Sequence, residues 1–397
     1  MNRVALIASS FLPRFGGVER HVLEVSRGLR DRGYEVTIWA VDQGDEVPSS
    51  VDGIQLRYLP CPLPARDLGS LVSFLRRLPA AIRAWRRAVR TDRPQILNVQ
   101  CFGPNGVYAT VLSRLCGIPL VYSAHGETSG DADDVFTSSR LIRRALAAGI
   151  RRSSAITACS RFAADDLLRF AARTPPVHIV FNGVDRSPPR PATMPPLPSR
   201  FIAAVGRLVP NKGFGELIAA FAPVAAEDGD VGLVIAGDGP DRQRLQELTD
   251  RHGLTQQVRL LGQLSAGQVH QLLQHAEMLV VPSHVEAFGI AILEGWRAGA
   301  PVIATSRGGT AEFVQDTVNG LLVDPFDAAA LSTAMRSLLR DPVGAAHLAR
   351  AGSAAFGPFT WDAVADRYQA VLDRALGANG PSRPRSPSRF PRRHGGD

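Results

Sequence analysis

The chain has 397 residues, enough for about two domains at roughly 100–200 residues each. A composition of 45% hydrophobic and 21% charged residues excludes wholesale disorder, and scattered Gly and Pro with no sustained heptad exclude collagen-like and coiled-coil repeats. The net charge is +8, carried almost entirely by arginine because Lys212 is the single lysine, and this excess attracts phosphates, nucleic acid or anionic lipid.

Val4–Ala8 is a short apolar run that predicts a buried parallel strand rather than a signal peptide. The Gly16-Gly17 loop follows, then apolar residues at Val18, Val22, Val25 and Leu29 predict a helix over 18–30. Glu35–Val41, Ile96–Val99, Leu120–Ser123 and Ala155–Ala158 read as further strands with helices between them. The stretch 186–199 carries six prolines and predicts a linker. Strands then resume at Phe201–Val205, Val231–Ala236, Val258–Leu261, Met278–Val281, Val302–Ala304 and Gly320–Val323. Trp361–Leu376 predicts a last amphipathic helix, and 377–397 a disordered basic tail.

This alternation predicts an α/β protein of two Rossmann-like domains, 1–185 and 200–355, with a helical segment at 356–376. Ligands of such sheets bind beyond the carboxyl ends of the strands, here in a cleft between the domains. No apolar run approaches the ~20 residues of a membrane span. Cys61, Cys101, Cys116 and Cys159 lie far apart, so the expectation is a reducing, cytoplasmic setting.

The densest chemistry lies at Pro282-Ser-His-Val-Glu286-Ala-Phe-Gly-Ile-Ala-Ile-Leu-Glu294, where a strand runs in and a helix leaves. Free amides at that helix start, near Phe288–Gly289, form an anion site. Glu294 can accept both hydroxyls of a vicinal diol such as a ribose, and Glu286 can accept sugar hydroxyls. Each glutamate alone also fits a plainer role, as a cap or as an exposed helix residue. Arg207 and Lys212 follow a strand end across Gly206 and suit a diphosphate leaving group without a metal. Gly16-Gly17 offers amides to a phosphate, and Glu19, Arg20 and His21 after it are candidates for the acceptor side. Asp131-Ala-Asp133-Asp134 contains a D-x-D, read as a polar loop or helix start rather than a metal site because no apolar strand leads into it.

The Glu286-x7-Glu294 spacing, with Ala298-Gly-Ala-Pro-Val-Ile-Ala304 and Gly308-Gly309 after it, resembles glycosyltransferase family 4. Gly16-Gly17, His125-Gly126, Cys159-Ser160, Phe181-Asn-Gly-Val-Asp185, Gly206-Arg207, Lys212-Gly213 and Gly237-Asp-Gly-Pro240 agree with that resemblance over about residues 1–375. It implies the GT-B fold and retaining, metal-independent transfer of a hexose from a nucleotide-diphosphate sugar, UDP before GDP. The acceptor it implies is a hydroxyl in polysaccharide, glycolipid or cell-envelope glycan synthesis. Expected catalytic residues are His125, Arg207, Lys212 and Glu286. Gly17, Gly206, Gly237, Leu264, Ala287, Phe288, Gly289, Ile290 and Glu294 join Arg207, Lys212 and Glu286 around the donor. The base is expected against Leu261–Leu264, and the last helix is expected to cross back to the first domain. No cofactor beyond the donor is expected, and no nucleic acid. The arginine-rich helix near Arg76–Arg93 reads either as a solvated helix face or as an interfacial helix in contact with anionic membrane. A non-catalytic scaffold of this fold and a nucleotide-sugar epimerase are the alternatives.

Overall fold

The computed structural model describes residues 1–13, 16–44, 47–64, 68–128 and 135–377. The D-x-D at 131–133 and the tail beyond 377 lie outside the described residues. In chain order the first lobe runs β1 (Arg3–Ala8), α1 (Gly17–Asp31), β2 (Glu35–Val41), β3 (Ser50–Val51), β4 (Ile54–Leu59), α2 (Leu68–Asp92) and β5 (Ile96–Gln100). It continues with α3 (Pro104–Cys116), β6 (Leu120–Ala124), α4 (Val135–Ser138), α5 (Arg140–Arg152), β7 (Ala155–Ala158), α6 (Arg161–Leu168) and β8 (Val177–Ile179). The second lobe runs β9 (Arg200–Val205), α7 (Phe214–Glu227), β10 (Val231–Ala236), α8 (Arg242–Arg251), β11 (Val258–Gly262), α9 (Ala266–His275) and β12 (Met278–Val281). It ends with α10 (Ile290–Ala298), β13 (Val302–Thr305), β14 (Leu321–Val323), α11 (Ala328–Arg340) and α12 (Pro342–Ala355), and α13 (Trp361–Gly377) follows it.

The strands form two sheets, ordered β3-β4-β2-β1-β5-β6-β7-β8 and β11-β10-β9-β12-β13-β14. Every pairing is parallel except β3 with β4. Central strands such as β10 and β12 are buried at every position, which is why they read as unbroken apolar runs. The sequence reading leaves out β3, β4 and β8. The edge strand β3 has two residues, β8 has three half-buried ones, and β4 is interrupted by Gln55 and Arg57. None offers an apolar run to read.

In each sheet the first strand lies between neighbours reached by opposite crossovers. β1 sits between β2 and β5, and β9 between β10 and β12. The carboxyl ends at these two reversal points are where a doubly wound sheet leaves a crevice.

After α12 the chain returns to the first lobe. Trp361, Val364, Tyr368 and Leu372 of α13 share one core with Val22, Val25 and Leu29 of α1. Arg32 pairs with Asp362 and Asp366 at 2.6 and 2.7 Å along the same contact. The lobes also share an aromatic cluster. Phe288 stacks on Phe313 at 4.7 Å and on Phe181 at 5.7 Å, and Phe359 lies 5.5 Å from both Phe181 and Phe313.

Candidate functional site

The two reversal points face one cleft of about 940 Å³, within the size range of small-molecule sites. Its second-lobe wall comes from four strand ends. Gly206, Arg207 and Lys212 follow β9, Gly237 follows β10, Leu264 follows β11, and Glu286, Ala287, Phe288, Gly289, Ile290 and Glu294 follow β12. The first-lobe wall holds Gly17, Glu19 and Arg20 after β1, His125 after β6 and Asn182 after β8.

Lys212 ends a short 3-10 turn, Pro210–Lys212, and Gly213 turns the chain with φ +68°. A Cβ there would sit 1.9 Å from the Pro282 carbonyl oxygen, so glycine alone lets this loop pack against the Glu286 loop. The packing sets Lys212 Nζ 2.6 Å from Glu286 Oε2, which also accepts from Ser283 Oγ at 2.9 Å. One of three ammonium hydrogens is thereby used, and the charge is fixed in place. Arg207 is exposed on the same wall and has no ion-pair partner among the described residues.

The Glu286 loop is pinned from behind: Gly309 N–H donates to the Glu286 carbonyl at 2.8 Å, and Glu286 N–H to the Arg307 carbonyl at 3.1 Å. Gly289, at φ +94°, caps α10, whose first amides open toward the cleft. Ile290 faces Gly17 of the first lobe, since a Cβ on Gly17 would lie 3.6 Å from Ile290 Cδ1. The Phe288 side chain is buried in the aromatic cluster, so only its backbone serves the cleft wall. Glu294, one turn further, has its carboxyl raised by burial, with Arg20 and Arg297 pulling the other way.

The candidates on the acceptor side separate. Glu19 closes its own loop by accepting from Gly16 N–H at 2.9 Å and from Ser10 Oγ. Arg20 pairs with Asp185 at 2.7 Å, in the charge cluster that includes Glu294. His21 does not line the cleft. It lies on the same face of α1 as Val25, is 1% exposed, and meets Tyr368 Oη of α13 at 2.9 Å through Nε2. The expectation of His21 on the acceptor surface is therefore corrected: helical rotation turns it into the core.

His125 lines the cleft directly above His21, their rings edge to face at 4.5 Å. Burial lowers its pKa to about 4, against an opposing pull from Glu127, so the ring is neutral near pH 7. Glu127 escaped the sequence reading. Its carboxylate accepts from His125 N–H at 2.8 Å, from Phe102 N–H at 3.0 Å and from Tyr122 Oη, which holds the loop after β6. Asn182 also escaped it, although the quoted Phe181–Asp185 run contains it. Among the described residues no group of three or more His, Cys, Asp or Glu is arranged to hold a metal ion.

Two family descriptions match the chain, "Glycosyltransferase Family 4" over residues 15–187 and "Glycosyl transferases group 1" over 189–355. The chain is 30% identical to a glycogen synthase of Mycobacterium tuberculosis over 285 residues, 70% of this chain and 69% of that protein. It is 29% identical to a D-inositol 3-phosphate glycosyltransferase of Xylanimonas cellulosilytica, covering 90% of this chain and 91% of that one. Among solved structures, Anabaena HepE in complex with UDP-glucose superimposes with a TM-score of 0.74 at 20% identity, covering 94% of this chain and 99% of that one. With two Rossmann-like lobes meeting at such a cleft, the chain belongs to the group 1 glycosyltransferases of the GT-B fold.

Proposed function

We propose that this glycosyltransferase moves a hexose from a nucleoside-diphosphate sugar, with UDP preferred to GDP, to an acceptor hydroxyl with retention and without an obligatory metal. The observation that carries this reading is the gathering of Arg207, Lys212, Glu286, the α10 amides and Glu294 on one wall, opposite His125 and Gly17. The neighbour HepE, solved with UDP-glucose, supports a donor of that class.

In this reading Arg207 and Lys212 hold the diphosphate, whose negative charge grows as the glycosidic bond breaks. The α10 amides and dipole add to that field and need no reorganisation, because the Gly289 cap already aims them. Glu286, fixed by Lys212 and Ser283, orients sugar hydroxyls. Glu294 takes the ribose diol, and its raised pKa is offset once those hydroxyls donate to it. His125, neutral near pH 7, meets the sugar from the other wall. The leaving phosphate oxygen takes the acceptor's proton on the same face of the sugar, so no side-chain base is required.

The first lobe supplies the acceptor side, with Glu19 and Arg20 at the cleft mouth. A lipid-linked acceptor at the cytoplasmic membrane face is supported by α2, whose exposed apolar residues lie beside arginines. The test is transfer from UDP- and GDP-hexoses to a panel of hydroxyl acceptors, with product anomers read by NMR. Sugar appearing on a second molecule with its anomeric configuration kept supports the reading. Isomerised nucleotide sugar with no transfer contradicts it in favour of an epimerase, and no turnover of any donor favours a scaffold.

A further inference from the structure

The side chains beneath His125 carry an inference that rests on the reading of this ring as a donor contact. Asn98 and Gln100 alternate on β5, point to one face and are both fully buried. The parallel register sets Asn98 beside Val121 and Gln100 beside Ser123 of β6. Asn98 Nδ2 donates to the Val121 carbonyl at 3.3 Å and to Ser123 Oγ at 2.9 Å. A carbonyl oxygen only accepts, so this contact fixes which end of the Asn98 amide is nitrogen and leaves Oδ1 as an acceptor. Gln100 Nε2 donates to that Oδ1 at 2.6 Å, which in turn fixes the Gln100 amide. Gln100 Oε1 then meets His125 Nε2 at 2.7 Å. Two acceptors cannot share that contact, so Nε2 carries the ring hydrogen.

A neutral imidazole has a single N–H, and Nδ1 is therefore a lone pair. The ring lines the cleft while its Nε2 points into the sheet, and Nδ1 has no partner among the described residues. We propose that Asn98 and Gln100 are positioning residues that lock His125 in its Nε2–H tautomer, so that the cleft is offered an acceptor at Nδ1. That edge receives a hydroxyl of the donor sugar and repels a carboxylate or phosphate oxygen at the same place. The other titratable groups near the ring are His21 on α1, Tyr368 on α13, whose hydroxyl meets both His21 and Gln100, Glu127 on its own loop, the thiols of Cys101 and Cys159 beside Glu127, and Glu286 beside Cys159.

The test reads the imidazole nitrogen shifts of ¹⁵N-histidine-labelled wild type between pH 6 and 8, with His125 assigned by difference from His125→Gln. The proposal expects Nδ1 unprotonated and Nε2 protonated throughout. Gln100→Leu should give a mixture of tautomers and lower kcat about tenfold, the loss of one oriented hydrogen bond, with little change in UDP affinity. Gln100→Glu should keep the tautomer but raise the His125 pKa, moving the acid limb of the kcat profile to higher pH. A protonated Nδ1 in wild type, an unchanged tautomer in Gln100→Leu, or an unchanged pH profile in Gln100→Glu overturns the proposal. A wild type that turns over no nucleotide sugar defeats the functional reading instead, while the nitrogen shifts still decide the tautomer.

Discussion

Lys212 and Arg207 reach the same patch of the cleft from one loop but are held differently. Lys212 is fixed by Glu286 at 2.6 Å, whereas Arg207 stands exposed without an ion-pair partner among the described residues. Both cations serve the leaving group in the proposed reaction. Lys212→Ala should therefore lower kcat by about 10²–10³, roughly 2–4 kcal/mol, and it also leaves Glu286 uncompensated. Arg207→Ala should cost a similar factor with no effect on thermal stability, because the exposed side chain holds nothing else in place. Steady-state kinetics beside a melting curve separates the two cases. A second residue-scale prediction concerns pH. Burial depresses His125 to about 4 and also holds His21 well below its usual range. The unfolded chain binds protons on both rings near pH 6.5, the folded chain does not, so stability is fully present above about pH 6.5 and falls as pH drops toward 4. Urea unfolding at pH 7.5, 6 and 5 should show this loss, and His21→Phe should lessen it. A flat profile would contradict the burial of neutral rings.

Among the elements, α2 has the most unusual surface. It has 25 residues, about 37 Å of helix, while the neighbouring strands span roughly 20 Å. Its second half carries the buried Ala81, Trp85 and Ala88, and Trp85 Nε1 donates to the Pro60 carbonyl at 3.1 Å. The first half follows the carboxyl end of β4, and it is at the carboxyl ends of the strands that the cleft lies. In that half Leu71, Val72 and Leu75 are 40%, 46% and 56% exposed, and Ile82 follows at 39%. Arg76, Arg83, Arg86 and Arg87 flank this apolar edge. Four basic residues near an anionic surface contribute about 1 kcal/mol each, an attraction that fades as the Debye length falls from ~10 Å at 0.1 M salt to ~3 Å at 1 M. A chain truncated after Leu376 should co-sediment with vesicles containing anionic lipid at low salt but not with neutral ones. Leu75→Glu with Ile82→Glu should abolish that binding. No binding at low salt would assign α2 to plain solvent exposure and favour a water-soluble acceptor.

The same scale explains what the sequence discloses. Strands buried on both faces, such as β7, β10 and β12, are read at their observed bounds because nothing interrupts their apolar runs. The glycine loops after β1, β9 and β12 are legible because a doubly wound sheet puts its ligand at such loops. His21 is misplaced because three successive residues of one helical turn cannot all face the same cleft. Glu127 and Gln100 stay hidden for another reason. Their partners, Phe102 and His125, become neighbours only through the pairing of β5 with β6, which no local pattern encodes.

At the scale of the whole molecule, the cleft exists because two reversal points are held face to face. The α13 return to α1 ties the lobes on one side, and the Phe181, Phe288, Phe313 and Phe359 cluster ties them beneath the site. Phe288 belongs to both the cluster and the Glu286 loop, so the contact between the lobes and the donor wall share one residue. Everything proposed for catalysis depends on a nucleoside diphosphate seated on that wall. Calorimetric titration of UDP and GDP into the full chain, with and without EDTA, tests this most directly. One site per chain is expected, tighter for UDP, indifferent to EDTA, and weakened about 10–100-fold in the Arg207→Ala, Lys212→Ala double variant, a loss of roughly 1.4–2.8 kcal/mol. Absence of binding to the wild type, binding abolished by EDTA and restored by manganese, or equal binding to the double variant would contradict it.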